Sequence, residues 1–372
     1  PVFLNVLMIG ALGWALWTGA DPAATAWALS WSVLGAGLLQ MAVVYLGVRH
    51  AGIRIGFKRP RFTPNVKRLL VLAIPAAVTG GITQINQLIG QAIASGKEGA
   101  IAALQYADRI YQLPLGVVGV AVAVVLLPEL ARALKSGHMK EAGNLQNRAI
   151  EFVLFLTLPA AAAIWVLSDE IIRVLYERGA FSEQNTAVVA SILAIYGLGL
   201  PGFVLIKALQ PGYYAREDTK TPMRFTMVSV ALNTGLAVTL FPTFEESGIA
   251  IAEAAAGWTN TILLFSVLLW RGHLVFERSL LTRTLRLMIA SAIMAGLLVY
   301  LSARWSAWLS PQSPLVDQVM ALGGLIVIAM PVYFGVAFAI GGADLGMIRR
   351  NLKRKPKSAP GNEAGLSDGD QQ

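Results

Sequence analysis

Asp108 and Arg109 stand side by side at the edge of an uncharged run, Leu113 to Leu127, within the stretch QYADRIYQLPLGVVGVAVAVVLLPEL from Gln105 to Leu130. With its flanks this stretch exceeds the roughly 20 residues a helix needs to cross a ~30 Å hydrocarbon core. Ionisable groups near membrane depth are costly, so they usually face a bundle interior or a watery cavity, and they mark a functional site by default. On a helix Gln105, Arg109, Gln112, Gly116, Gly119 and Ala123 share one stripe, polar at one end and small along its length. Two readings stand for the guanidinium: it points into a polar cavity, or it snorkels from the first turns of the helix to the headgroups. The glycines that continue the stripe favour packing over lipid exposure. A second polar group, Thr83, Gln84, Asn86, Gln87 and Gln91, sits in the preceding apolar run and either glues helices together or wets a cavity.

Bond-making chemistry has little support. His50, His138 and His273 lie far apart without metal-ligand spacing, and the chain holds no cysteine. No intramembrane carboxylate pair, nucleophile with a base, or phosphate-cradling glycine loop is visible. The expectation is a binding or transport protein with no metal and no cofactor, a polytopic enzyme being the minor reading.

The elements that must position these residues are apolar helices. Hydrophobic residues make up 56% of the 372 and charged residues only 14%, and the mean hydropathy is +0.61, values that suit a membrane bundle rather than a soluble domain. Ten apolar spans are expected, near 2–17, 26–48, 69–94, 106–130, 152–167, 188–209, 225–241, 249–270, 287–302 and 319–340. Pro75 with Gly80 and Gly81, and Pro114 with Gly116, interrupt two of them and are candidate hinges or gates, against a plain packing role. Pro1 opens inside an apolar run without a Met or a signal-peptide n-region, so a missing N-terminal part is expected.

Of the 30 basic residues, 25 fall in the regions after the second, fourth, sixth and eighth spans and in the tail, with Lys207 at the end of the sixth span counted with the loop that follows it. Lys and Arg are retained on the cytoplasmic side of short loops, so the net charge of +9 is a topology signal that places the C-terminus in the cytoplasm, and no nucleic-acid partner is expected. Residues 168–179, SDEIIRVLYERG, form a short amphipathic segment, with Ser168 as cap and Ile171, Ile172, Val174 and Leu175 as its apolar side. It is expected to lie on the outer surface, with Asp169, Glu170 and Glu177 solvated rather than catalytic. On the inner side PGYYAREDTKTP, 211–222, ends one helix and begins the next with Thr221 as cap. Past Pro356 the tail loses its apolar residues and reads as disordered.

INQLIGQAIASG from Ile85, the Tyr106 block and PGYYAREDTKTP resemble the MurJ/MviN family, proposed flippases for the lipid-linked peptidoglycan precursor lipid II, and the similarity runs to about residue 350. The resemblance implies an all-α polytopic transmembrane bundle: the multidrug/oligosaccharidyl-lipid/polysaccharide exporter fold of fourteen helices in two lobes, with the ten spans here as its fifth to fourteenth helices. On that map residues 1–48 end the first lobe, 49–68 are a basic cytoplasmic loop, 69–273 form the six-helix second lobe, 280–341 are a terminal pair shaping a lipid-tail groove, and 346–372 are the tail. It further implies a monomer in the bacterial inner membrane, with lipid II and membrane lipids as partners. Arg109 matches the family's cavity arginine, whose fork suits a pyrophosphate; Asp108, Gln112, Gln105, Gln87 and Asn86 are the accompanying binding candidates. The family's other cavity arginines belong to helices this chain lacks. Where some members place a sodium-binding acid, Gly90 and Gln91 are neutral here, and Asn233 is a weaker polar candidate. The rival readings are an exporter of another lipid-linked oligosaccharide or a drug cation, and a polytopic glycosyltransferase.

Overall fold

The computed structural model of the chain describes residues 2–52, 64–274 and 278–342. Among the described residues all regular structure is helical. The chain divides into two compact units, 1–67 and 68–372.

The first unit is a hairpin of α1 (Val2–Thr18) and α2 (Pro22–His50). Gly19 takes the left-handed conformation that closes α1, at φ 63°. Asp21 caps α2 by accepting from the Ala24 N–H at 2.8 Å, with Pro22 in the first turn. Only Ala15 and Ala36 are buried in these helices, and Leu16, Trp17, Trp27 and Trp31 are exposed, which suits a surrounding of lipid. The basic loop predicted beyond α2 lies largely outside the described residues, as does the tail from 343 onward.

In the second unit α3 spans Pro64–Ala94 and α4 Ala100–Pro114. α4 continues through a π-helical turn, Leu115–Val120, into α5, Ala121–Lys135. Pro114 has no N–H to give and its ring crowds the carbonyl four residues back, and the widened turn directly after it absorbs that misfit. α6 (Met139–Tyr176) leaves helical geometry at Leu167, φ −101° and ψ 16°, the junction at which the apolar span gives way to the amphipathic segment. That segment does not lie free on a surface. Ile172 and Val174 are buried while Leu175 is exposed. Arg173 bridges Asp169 at 2.5 Å and Glu177 at 3.5 Å. Glu177 accepts from Thr186 of α7 at 2.6 Å, and Glu170 accepts from Ser302 of α9.

α8 (Lys220–Trp270) is 51 residues long, about 76 Å if straight, more than twice the hydrocarbon thickness. It is not straight. At Glu245 the backbone turns to φ 51° and ψ −131°, and a Cβ on Gly248 would stand 2.8 Å from the Leu240 carbonyl, a contact impossible across eight residues of one helix. Ser229 donates to the Ala256 carbonyl at 2.6 Å, and Arg271 meets Asp218 at 2.6 Å. α8 is therefore an antiparallel pair of limbs, 220–244 and 246–270. Among the described residues seven helical runs are long and apolar enough to cross a membrane, with α8 counted once and α4, the π-helical turn and α5 counted together, and α1 is a shorter apolar helix; the fourth apolar run read from the sequence crosses the π-helical turn.

α7 (Glu183–Tyr214) is the centre of this unit, flanked by α4, α5, α6 and α8, with Ile192, Leu193, Leu200 and Val204 fully buried. Lipid supplies no hydrophobic drive between helices, so close approach and interhelical hydrogen bonds must hold them. Thr261 donates to the Gly202 carbonyl at 2.7 Å, Trp258 to that of Leu198 at 3.0 Å and Tyr213 to that of Leu264 at 2.6 Å. The Phe203 ring fills the space a Cβ on Gly257 would need. The terminal pair, α9 (Arg278–Arg304) and α10 (Leu315–Ala339), belongs to the same unit. It is fastened to α6 by Tyr333, which donates to the Phe155 carbonyl at 2.7 Å, and by Phe155 against Phe334 and Phe338.

Candidate functional site

Two aromatic clusters fix the rotation of α4. Tyr106 packs on Tyr176 and Phe181 at 4.8 and 5.4 Å between ring centroids. Tyr111 is buried against Tyr196 and Phe203 of α7 at 5.3 and 5.5 Å. Together with buried Ala100, Ala103 and Ala107, these contacts turn the opposite stripe outward, so Gln105, Arg109, Gln112 and Gly116 are all exposed. Among the described residues none forms a hydrogen bond or ion pair with Arg109 or Gln105. Asp108 accepts from Gln112 one turn on, so the nearest carboxylate is engaged with an amide.

The stripe of small residues does two different things. A Cβ on Gly116 would meet nothing within 4 Å, whereas one on Gly119 would press on the Lys207 side chain at 3.2 Å. Lys207 is the functional candidate that sequence reasoning misplaced. Counting it with the loop after the sixth span hid that it lies within α7, seven residues before the helix end. There its apolar stem packs on buried Gly119 while the residue as a whole is exposed. The signal was available: a lysine followed by a further helical turn before Pro211.

The other candidates are less united. Asn233 of α8 donates to Asn86 of α3 at 2.8 Å, while the exposed Gln87 has no such partner. Nothing described joins Asn86 or Gln87 to the α4 face. Of the hinge candidates, Pro114 and Gly116 border or enter the π-helical turn, and Gly81 has open space around it. The surroundings of Pro75, Gly80 and Thr83 lie outside the described residues. Glu253 of α8, which the sequence reading passed over, accepts from Tyr196 of α7 at 3.0 Å, and the Asp108 charge reaches it. The two acids are 145 positions apart in sequence and stand on helices that packing makes neighbours.

A further polar cluster closes the α7–α8 loop. The Asp218 carboxylate, not Thr221, does the capping, accepting from the Thr221 N–H at 3.0 Å and its hydroxyl at 2.6 Å, and it pairs with Arg271. Burial pushes the Asp218 carboxyl up, but Thr221 and Arg271 outweigh it and hold the group below the usual carboxylate range. Burial, with Arg216 and Arg271 nearby, depresses His273.

A family model described as MurJ, lipid II flippase MurJ, matches residues 1–316. A probable lipid II flippase MurJ of Rhizobium tropici is 69% identical over 370 residues, covering 100% of this chain and 69% of that relative. The corresponding protein of Rickettsia prowazekii is 35% identical over 312 residues, covering 84% and 61%. The chain thus spans roughly two thirds of the length of the curated relatives it matches. Among solved structures, a lipid II flippase MurJ in an inward closed conformation aligns with a TM-score of 0.68 at 24% identity, covering 95% of this chain and 67% of that one. That likeness supports the fold.

Proposed function

The chain belongs to the lipid II flippase MurJ family, and from that premise we propose that it carries the second-lobe part of a site that moves the lipid-linked precursor of peptidoglycan across the bacterial inner membrane. The observation that carries the reading is the open face of α4. Among the described residues Arg109 stands on it without a hydrogen bond or salt bridge, Asp108 is held by Gln112, and Lys207 packs over Gly119. From 109 to 119 is about 15 Å along the helix, a separation over which two cations can hold an extended anionic headgroup. An arginine fork binds phosphate oxygens in pairs and stays charged when partly desolvated, and the isoprenoid tail remains in lipid. The π-helical turn between the two cations is the element that changes shape as access alternates. Asp108, Gln105 and Gln112 line the same face; Asn86 and Gln87 serve from α3. The protein acts as a monomer with its C-terminus in the cytoplasm.

The test uses the protein expressed from its intact gene in cells depleted of their own flippase. Losing a charge-assisted hydrogen bond costs about 1.5 to 3 kcal/mol, roughly tenfold to more than a hundredfold in an equilibrium constant. At matched protein level, growth falls in the order wild type, Arg109→Lys, Arg109→Ala. Equal growth of all three refutes the site.

A further inference from the structure

Glu253 takes no part in the cationic face, yet it is the carboxylate set deepest in the second limb of α8. It lies seven residues past Glu246, about 10 Å in from the turn at Glu245. Asp108 lies eight residues, about 12 Å, into α4. The start of α4 is tied to the same turn, because Lys97 in the loop before it pairs with Glu245 and, at 2.9 Å, with Glu246. The two acids therefore stand at one level. Between them is buried Tyr196 of α7, which donates to Glu253 at 3.0 Å and packs its ring on Tyr111 of α4.

Among the described residues Tyr196 of α7 touches Glu253, and Tyr111 and Asp108 of α4 lie within reach of its charge. All are neutral or negative, and among the described residues no cation pairs with it. An ionised carboxylate at such depth without a counter-charge is costly, and taking up a proton removes that cost. The tyrosine hydroxyl can donate to the carboxylate and can accept from the carboxylic acid, so the partnership survives both states. A metal cation would need several converging oxygen ligands, and no cluster of three acidic or histidine side chains occurs among the described residues. Glu253 is partly accessible, so a proton can reach it.

We propose that Glu253, partnered by Tyr196, is a reversible proton-binding site that couples protonation to the packing of α8 against α4 and α7. Proton binding stands by itself; the coupling rests on the transport reading above. Infrared difference spectra of the purified protein in nanodiscs, taken between about pH 5 and pH 9, the range buried carboxylates span, test the first part. The expected result is a carboxylic-acid band that grows as pH falls. It is unchanged when sodium replaces potassium, absent from the isosteric Glu253→Gln, and moved in midpoint by Tyr196→Phe. No titrating band in the wild type, the same band in Glu253→Gln, or a band that sodium removes at fixed pH would each overturn the site. For the coupling, the rate of lipid II movement depends on pH in the wild type and loses that dependence in Glu253→Gln. An unaltered pH profile in the variant overturns the coupling. If the protein moves no lipid II, the infrared titration still decides the proton site, and only the transport reading fails.

Discussion

In the proposed site Lys207 and Arg109 hold charge in different ways. Lysine brings a point charge with a packed stem, arginine a planar fork. Lys207→Met keeps an apolar stem over Gly119 and removes only the ammonium. If the ammonium meets the headgroup, Lys207→Met and Lys207→Ala slow growth alike in the depletion assay, and both by less than Arg109→Ala. Growth of Lys207→Met at the wild-type rate would show that only the stem matters. Arg109 was legible in the sequence because a charge beside a long apolar run has few explanations. Glu253 was not, since GIAIAEAAAGW reads as one small-residue helix face, and its partners come from two other helices. The pairing of Asp108 with Gln112 follows from i,i+4 spacing, but that among the described residues Arg109 makes no hydrogen bond or salt bridge does not.

Among elements, α8 shows how far apolar patterning reaches. The two runs 225–241 and 249–270 were separable from sequence because Phe-Glu-Glu-Ser-Gly interrupts them, yet nothing local states that Glu245 adopts a positive φ or that Gly248 backs onto Leu240. Close approach is likewise a tertiary fact. Gly257 is one of 36 glycines, and only the Phe203 ring lying where its Cβ would go makes it irreplaceable. Gly257→Ala overpacks that contact at a cost of about 1 to 3 kcal/mol, so the detergent-solubilised protein unfolds at a lower temperature, while Gly116→Ala, with open space around it, leaves the midpoint within about 0.5 kcal/mol of wild type. Equal midpoints for the two variants would contradict the packing of α7 on α8.

The loop that joins α7 to α8 has its own acid response. Asp218 and His273 are both depressed in the folded protein. A depressed group contributes stability that is complete above its unfolded pKa and is lost as pH falls through its folded value. The His273 contribution therefore declines below about pH 6.5 and that of Asp218 below about pH 3.9. Thermal midpoints measured downward from pH 8 show a first decline that His273→Gln abolishes and Asp218→Asn leaves in place. A first decline that persists in His273→Gln removes the histidine from the account.

For the molecule as a whole, the sequence carried the class and the order of helices, because lipid demands long apolar runs and loops must hold the charge. It did not carry the joining of 152–167 and residues 168–176 into one bent helix, which rests on the burial of Ile172 and Val174 and on Glu177 and Glu170 finding partners on α7 and α9. Orientation can be read directly, since the chain has no cysteine and Ser136 and Ser182 flank the two ends of α6. Single cysteines at these positions, in an otherwise cysteine-free protein, are expected to divide: Ser182→Cys is labelled in intact cells by an impermeant thiol reagent and Ser136→Cys is protected. Ser182→Cys also gives up the cap on Asn185, a loss of about 1 kcal/mol that the fold can absorb. The reverse labelling inverts the topology.

The central claim is that the Arg109 face carries lipid II from the inner to the outer leaflet. The most direct measurement follows the lipid itself: cells depleted of their own flippase receive the intact gene, an enzyme that cleaves the lipid II headgroup is added outside, and the cleaved fraction is counted. The wild type restores cleavage, and Arg109→Ala at the same protein level leaves lipid II protected inside. Cleavage in Arg109→Ala equal to the wild type, or none in either, contradicts the account.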